Sequence, residues 1–182
     1  DSSCATTDIQ AHFMPATEAT ANLHMPNPFS KKNTSQNHGF TIRVGPVAPR
    51  SRGSIRLRSG VAEDAPRIIA NYLTDAHDFA VTVNAVQQMR DIVASKAFDK
   101  YRGKELAPGP ENQSDAAVMQ WLRGASATTL HPVGSCKMGI DSDAVVDAQL
   151  RVHGIKSLRV ADASIMPKIC SGNTNAASIM IG

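Results

Sequence analysis

The residues best suited to chemistry lie in the last third of the chain. His131 stands in Leu130-His131-Pro132-Val133-Gly134-Ser135-Cys136-Lys137-Met138-Gly139, and Ser171-Gly172-Asn173-Thr174-Asn175 follows later. Pro132 fixes its own φ and pushes the residue before it towards an extended conformation, so the His131 imidazole is expected in a loop, available to a ligand. Gly172-Asn173-Thr174-Asn175 precedes the apolar run Ala176-Ala177-Ser178-Ile179-Met180-Ile181. This is the pattern of a capped helix entrance, in which Asn or Thr oxygens accept the first free N–H groups. Such an entrance carries partial positive charge and suits an anionic ligand atom. An isolated histidine seldom catalyses anything, and the residues alone leave open that His131 is a loop residue of no special role.

Two other chemistries fit less well. Ser135 could pair with His131, and Asp162 could orient the ring, but the chain has no Gly-x-Ser-x-Gly turn to present a nucleophile. His131, Cys136 and His153 lack the paired spacing of a zinc site, so no metal ligand is assigned. The three cysteines, Cys4, Cys136 and Cys170, are odd in number and far apart. They read as reduced thiols of a cytoplasmic protein rather than a disulfide framework.

The elements that must position these residues follow from periodicity. Ile9, Ala11 and Phe13 alternate with Gln10, His12 and Met14, which predicts a strand buried on one side. His12 and Met14 on the other face could meet a ligand, but such positions are more often sheet-face residues without function. From Pro15 to Gly39 the chain is rich in Pro, Asn, Ser and Lys and reads as a long loop. Phe40-Thr41-Ile42-Arg43-Val44 and Ser54-Ile55-Arg56-Leu57-Arg58 alternate again. They are expected to form an antiparallel pair, with Phe40, Ile42, Val44, Ile55 and Leu57 towards a core. Arg43, Arg50, Arg52, Arg56 and Arg58 then form a solvated face; with Phe40 the only nearby aromatic and a net charge of +3, no nucleic-acid partner is expected.

Phe79, Val83, Val86, Met89 and Val93 make one apolar helical stripe, with Asp75 or Asp78 as its cap. A shorter helix follows Ser114, with Val118, Trp121 and Leu122 inward and Gly124 at its end. Val145-Val146 and Leu158-Arg159-Val160 are short extended runs, the second leading into the turn residues Asp162-Ala163-Ser164.

The series His131-Pro-Val-Gly-Ser-Cys-Lys-Met-Gly139, Ala144-Val-Val-Asp147, Leu150-Arg-Val-His-Gly154, Leu158-Arg-Val-Ala-Asp-Ala-Ser164, Met166-Pro167 and Ser171-Gly-Asn-Thr-Asn175 resembles, in order and spacing, the C-terminal signature of the glucose–methanol–choline (GMC) oxidoreductases. Ser51-Arg-Gly-Ser-Ile-Arg-Leu-Arg-Ser59, Ala65-Pro-Arg-Ile68 with Asn71-Tyr-Leu73, and Tyr101-Arg-Gly103 with Glu105-Leu-Ala-Pro-Gly109 are similar to the family's substrate-binding half. The resemblance runs from about Asp8 to Gly182 and is weakest between Ala16 and Asn37.

The resemblance implies an α+β fold: a substrate domain over residues 1–128, an antiparallel sheet with helices, then a C-terminal strip over 129–182 belonging to an α/β, Rossmann-like FAD-binding domain. It implies FAD as cofactor, with Val133, Asn173 and Thr174 near the isoalloxazine ring and Asp162 and Ala163 near the ribityl–phosphate part. It also implies oxidation of a primary alcohol to an aldehyde by hydride transfer to flavin N5. His131 is then the base, and a positioned general base typically contributes about 10²–10⁴-fold. Asn173 takes the place where the family has His or Asn; its amide can donate to the developing alkoxide but cannot act as a second base. Asn173 points to the choline-dehydrogenase-like branch. The helix entrance at Asn173-Thr174 would favour the negative charge of reduced flavin.

The family's N-terminal Gly-x-Gly-x-x-Gly turn, which lets the backbone approach the pyrophosphate, is formed by none of the twelve glycines. The chain therefore reads as the C-terminal portion of a longer enzyme whose partner is the missing N-terminal FAD-binding part. The alternative is a non-catalytic domain that keeps the fold and cannot hold flavin alone. With 182 residues, 42% apolar and 19% charged, the chain is long enough for a real core and is not of disordered composition. No segment approaches the roughly 18 consecutive apolar residues of a transmembrane helix.

Overall fold

The computed structural model describes residues 7–16 and 39–182. The long loop expected from Pro15 to Gly39 falls almost entirely outside them, as does Cys4. The described residues form an α+β structure: strands β1 (Ile9–Met14), β2 (Thr41–Pro46), β3 (Ser54–Arg56) and β4 (Arg67–Ile69), and helices α1 (Ala76–Ala94), α2 (Asp115–Ala125) and α3 (Asn175–Ile181). The chain divides into two compact units. Of the described residues, one holds 9–16, 39–46 and 73–127; the other holds 7–8, 47–72 and 128–182. Residues 47–72 thus fold with the C-terminal third, although they precede both long helices in sequence.

In the first unit β1 and β2 form an antiparallel ribbon with Ile9 opposite Pro46 and Met14 opposite Thr41. Helix α1 starts at Asp75, whose carboxylate accepts from the His77 N–H at 2.8 Å. Three residues of its stripe are buried: Phe79, Val83 and Val86 join Val118 and Leu122 of α2 in one core, flanked by Val44, Leu73, Met119 and Trp121, while Met89 and Val93 are half-buried. Each such side chain contributes about 1.5–3 kcal/mol when fully buried. Ser114 caps α2 by accepting from the Ala117 N–H at 3.2 Å. The helix runs one residue beyond Gly124 to Ala125.

The last turn of α1 has no basic residue of its own, and Arg102 serves it from outside by donating to the carbonyls of Val93 and Ser95 at 3.0 and 3.1 Å. Arg90, on the same helix, grips the Glu105 carboxylate with Nε and Nη2 and donates to the Asn112 carbonyl at 2.9 Å, fixing the loop between the helices.

The expected pairing of Phe40–Val44 with Ser54–Arg58 is corrected by the structure. β2 pairs with β1, and β3 pairs with β4, Ile55 lying opposite Ile68. Pro46 has no N–H to extend a ladder and Pro49 follows closely, so the chain leaves β2 without a tight hairpin. The burial expected from alternation also fails in part. Phe13, Ile55 and Leu57 are 56%, 56% and 87% exposed. Two-stranded ribbons have too little sheet area to cover both ends of an alternating face. Phe13 instead stacks on Phe40 at 5.3 Å, and Phe40 lies 5.6 Å from Phe98.

The second unit is built mostly from turns and isolated bridges. Gly53 sits where any Cβ would collide with the Ile69 and Ala70 carbonyls, which ties the β3–β4 ribbon to a glycine there. Val146 is fully buried and bridges to both Met138 and Val152, and Arg151 bridges to Arg159. The extended runs at Val145-Val146 and Leu158–Val160 are thus single bridges rather than full strands.

Candidate functional site

Two kinked segments of the second unit meet at one hydrogen bond. Leu130 has φ 64°, a left-handed conformation unusual for a branched residue, and turns the backbone immediately before His131. Its N–H donates to Thr128 Oγ1 at 2.9 Å, which supports the turn. Past His131, Gly134 has φ 87°, and a Cβ there would lie 3.2 Å from the Met166 carbonyl. Beyond Gly134 the backbone is held to the Asp162 turn: Cys136 N–H donates to the Ser164 carbonyl at 3.0 Å and Met138 N–H to that of Ile165 at 2.8 Å.

On the other side, Ser171 with φ 55° and Gly172 with φ 152° bend the chain into α3. Thr174 occupies the N-cap position and is only 7% exposed, whereas Asn173 and Asn175 beside it are exposed. Its carbonyl accepts from Ser178 N–H at 2.9 Å and Ser178 Oγ at 2.8 Å, which fixes the start of the helix. Its hydroxyl makes no capping bond to the first turn. Thr174 Oγ1 instead lies 3.1 Å from His131 Nδ1, joining residues 43 apart in sequence.

The half-buried imidazole is therefore held at Nδ1, a contact whose one trace in the residues is a Thr at a cap position. Asn173 makes no hydrogen bond to His131 among the described residues, and its amide is exposed on the same turn as Thr174. Val133 is half-buried in the His131 loop. Ala163, also half-buried, opens a short 3₁₀ turn, Ala163–Ile165, capped by Asp162, whose carboxylate accepts from Ser164 N–H at 2.7 Å. Hydrogen bonds from the Ser164 side chain and then its backbone N–H hold the Asp162 carboxyl below the usual carboxylate range, against a smaller desolvation effect. Ser164 is a contributor that sequence reading did not single out.

The competing chemistries find no such support. Ser135 is exposed, and the hydroxyl at the His131 ring belongs to Thr174. His153 Nε2 lies 3.1 Å from the Gly139 carbonyl, a bond that tacks two turns together. Among the described residues no three His, Cys, Asp or Glu side chains are grouped to hold a metal ion, and no helix is long and apolar enough to cross a membrane.

Comparison with known proteins agrees with the signature. A family model described as GMC oxidoreductase matches residues 49–182. The oxygen-dependent choline dehydrogenase of Klebsiella pneumoniae subsp. pneumoniae is 43% identical over 175 residues, covering 96% of this chain and 30% of that protein. The oxygen-dependent choline dehydrogenase of Escherichia coli is 41% identical with the same coverage. Among solved structures, pyridoxine 4-oxidase from Mesorbium loti superimposes with a TM-score of 0.73 at 35% identity, covering 78% of this chain and 28% of that one. The chain spans about 30% of the length of the curated relatives it matches. It belongs to the GMC oxidoreductase family.

Proposed function

We propose that this chain supplies the substrate domain and the base-bearing part of an FAD-dependent alcohol oxidoreductase that converts a primary alcohol to an aldehyde. The observation that carries the proposal is the hydrogen bond between His131 Nδ1 and Thr174 Oγ1, which sets an oriented imidazole one residue from the exposed Asn173 amide. The choline dehydrogenase names of the relatives make choline the first alcohol to test.

The donor chemistry suits a flavin. Residues 129–139 and 171–182 contain no acidic side chain, and the Asp162 carboxylate is engaged by Ser164. The first-turn N–H groups of α3 have no intrahelical acceptor and receive none from the Thr174 side chain. Neutral donors without a competing carboxylate match an acceptor-rich ring edge that becomes more negative on reduction. Val133, Asn173 and Thr174 would hold the ring side, and Asp162 and Ala163 the ribityl–phosphate side. The glycine turn for the pyrophosphate would come from an N-terminal FAD-binding part of the kind that the longer relatives have room for.

When bound, FAD supplies the two-electron acceptor. His131 Nε2, the ring nitrogen opposite the one held by Thr174, takes the proton of the alcohol hydroxyl. Asn173 Nδ2 donates to the oxygen as negative charge develops there, and an amide in this place leaves His131 the sole base.

Titrated with FAD, the full-length protein, in which this chain is joined to its N-terminal FAD-binding part, is expected to acquire protein-bound flavin absorbance and a raised melting temperature, and choline should bleach that absorbance anaerobically. Flavin binding without bleaching by any primary alcohol would remove the activity. A failure to bind flavin would favour a non-catalytic domain that keeps the fold.

A further inference from the structure

The hydroxyl of Thr174 sits where a capping threonine would spend its oxygen on the first-turn amides of α3, and it does not cap. It is buried, its carbonyl is pinned by Ser178, and its one described side-chain partner is His131 Nδ1 at 3.1 Å. The oxygen lone pairs that a cap would give to an N2 or N3 amide are therefore left for the ring. A hydroxyl can donate or accept; if Nε2 is the nitrogen that takes a proton, the ring's own proton is on Nδ1 and Thr174 Oγ1 is its acceptor. A histidine with no such partner favours the opposite form in water, with its proton on Nε2.

We propose that Thr174 is a positioning residue that holds His131 as the Nδ1–H tautomer, so that Nε2 is the nitrogen able to accept a proton. The role rests on the assignment of His131 as base, yet the tautomer is a property of the ring that can be read without turnover. The local backbone explains the strain on both sides of the bond. Leu130 and Ser171, with φ of 64° and 55°, are held left-handed within one and three residues of the two partners. Such conformations persist where surrounding structure over-determines them, and here one precedes each partner of the bond.

The test is the ¹⁵N signature of the His131 ring in the purified flavin-loaded protein at neutral to mildly alkaline pH, compared with Thr174→Val and Thr174→Ser. Thr174→Val keeps the side-chain shape and removes the hydroxyl; Thr174→Ser keeps the hydroxyl. The wild-type ring is expected to be Nδ1–H with a slowly exchanging Hδ1, the valine variant to shift towards Nε2–H, and the serine variant to return to Nδ1–H. With the loss of one neutral hydrogen bond, kcat should fall about 5- to 10-fold in Thr174→Val with little change in KM, and Thr174→Ser should recover most of it. A wild-type ring found as Nε2–H overturns the proposal without recourse to any variant. A valine variant with the wild-type tautomer and wild-type kcat overturns it as well. Near-normal turnover in His131→Ala would instead remove the base assignment, while the ring spectra would still decide whether Thr174 sets the tautomer.

Discussion

The two units of this chain reach order by different physical routes. The unit holding α1 and α2 is organised by apolar burial, with Phe79, Val83, Val86, Val118 and Leu122 in one contiguous core. The unit holding His131 and Thr174 is organised by backbone turns. It contains Leu130, Leu150, Ser157 and Ser171 at positive φ, and Asp147 and Asp162 bonded to the N–H groups of their own turns. Its buried apolar residues, Val47, Val146, Ile165 and Met166, are few, while Leu57, Ile140 and Met180 are 87%, 103% and 78% exposed. A helical core tolerates small shifts because burial is non-directional. A turn-built site fixes individual side chains, which is what the base proposed at His131 requires.

This contrast can be broken experimentally. The largest stability effect is expected from Leu122→Ala, which removes a buried core side chain and should cost about 2–5 kcal/mol. Denaturant unfolding with hydrogen exchange should locate the loss over residues 76–125 more than over 133–166. An equal loss in both regions would contradict the separation of the two mechanisms. Gly134→Ala comes next, at about 1–2 kcal/mol from the left-handed φ alone, with the Met166 carbonyl adding a close contact. It should weaken protection of the Cys136 and Met138 amides, and unchanged protection there would show that the turn does not hold the segment.

Asp75→Ala should cost about 1 kcal/mol by removing the α1 cap, read as a lower melting temperature and faster exchange at His77. The smallest effect belongs to Asp162. Its folded-state carboxyl lies below the ordinary value of about 3.9, so the stability it contributes is complete above that pH and is lost as pH falls through the lower, folded value. Asp162→Asn should lower the neutral-pH melting temperature slightly and leave acid melting unchanged, which flattens that acid limb. An unaltered acid limb would mean that the Ser164 bonds do not depend on the charge.

What the sequence disclosed follows the same division. Helix α1 was legible because its stripe repeats at helical spacing and Asp75 precedes it, and α2 was legible from Ser114 and Val118. Strand partners were not, because alternation marks a strand without naming its neighbour, and β2 found β1 rather than β3. In the candidate site, His131, Asn173 and Thr174 stood out as residues. Their geometry did not, since left-handed Leu130 and Ser171 carry no Gly or Asn signal and a contact across 43 residues leaves no periodic trace.

The central claim, that His131 is the base of an alcohol oxidation, is tested most directly by the rate at which choline, or whichever primary alcohol proves reactive, bleaches bound flavin in a single turnover of the wild-type protein and of His131→Ala. A loss of about 10²–10⁴-fold with flavin still bound is the predicted result. A His131→Ala rate within a few-fold of wild type would contradict the account.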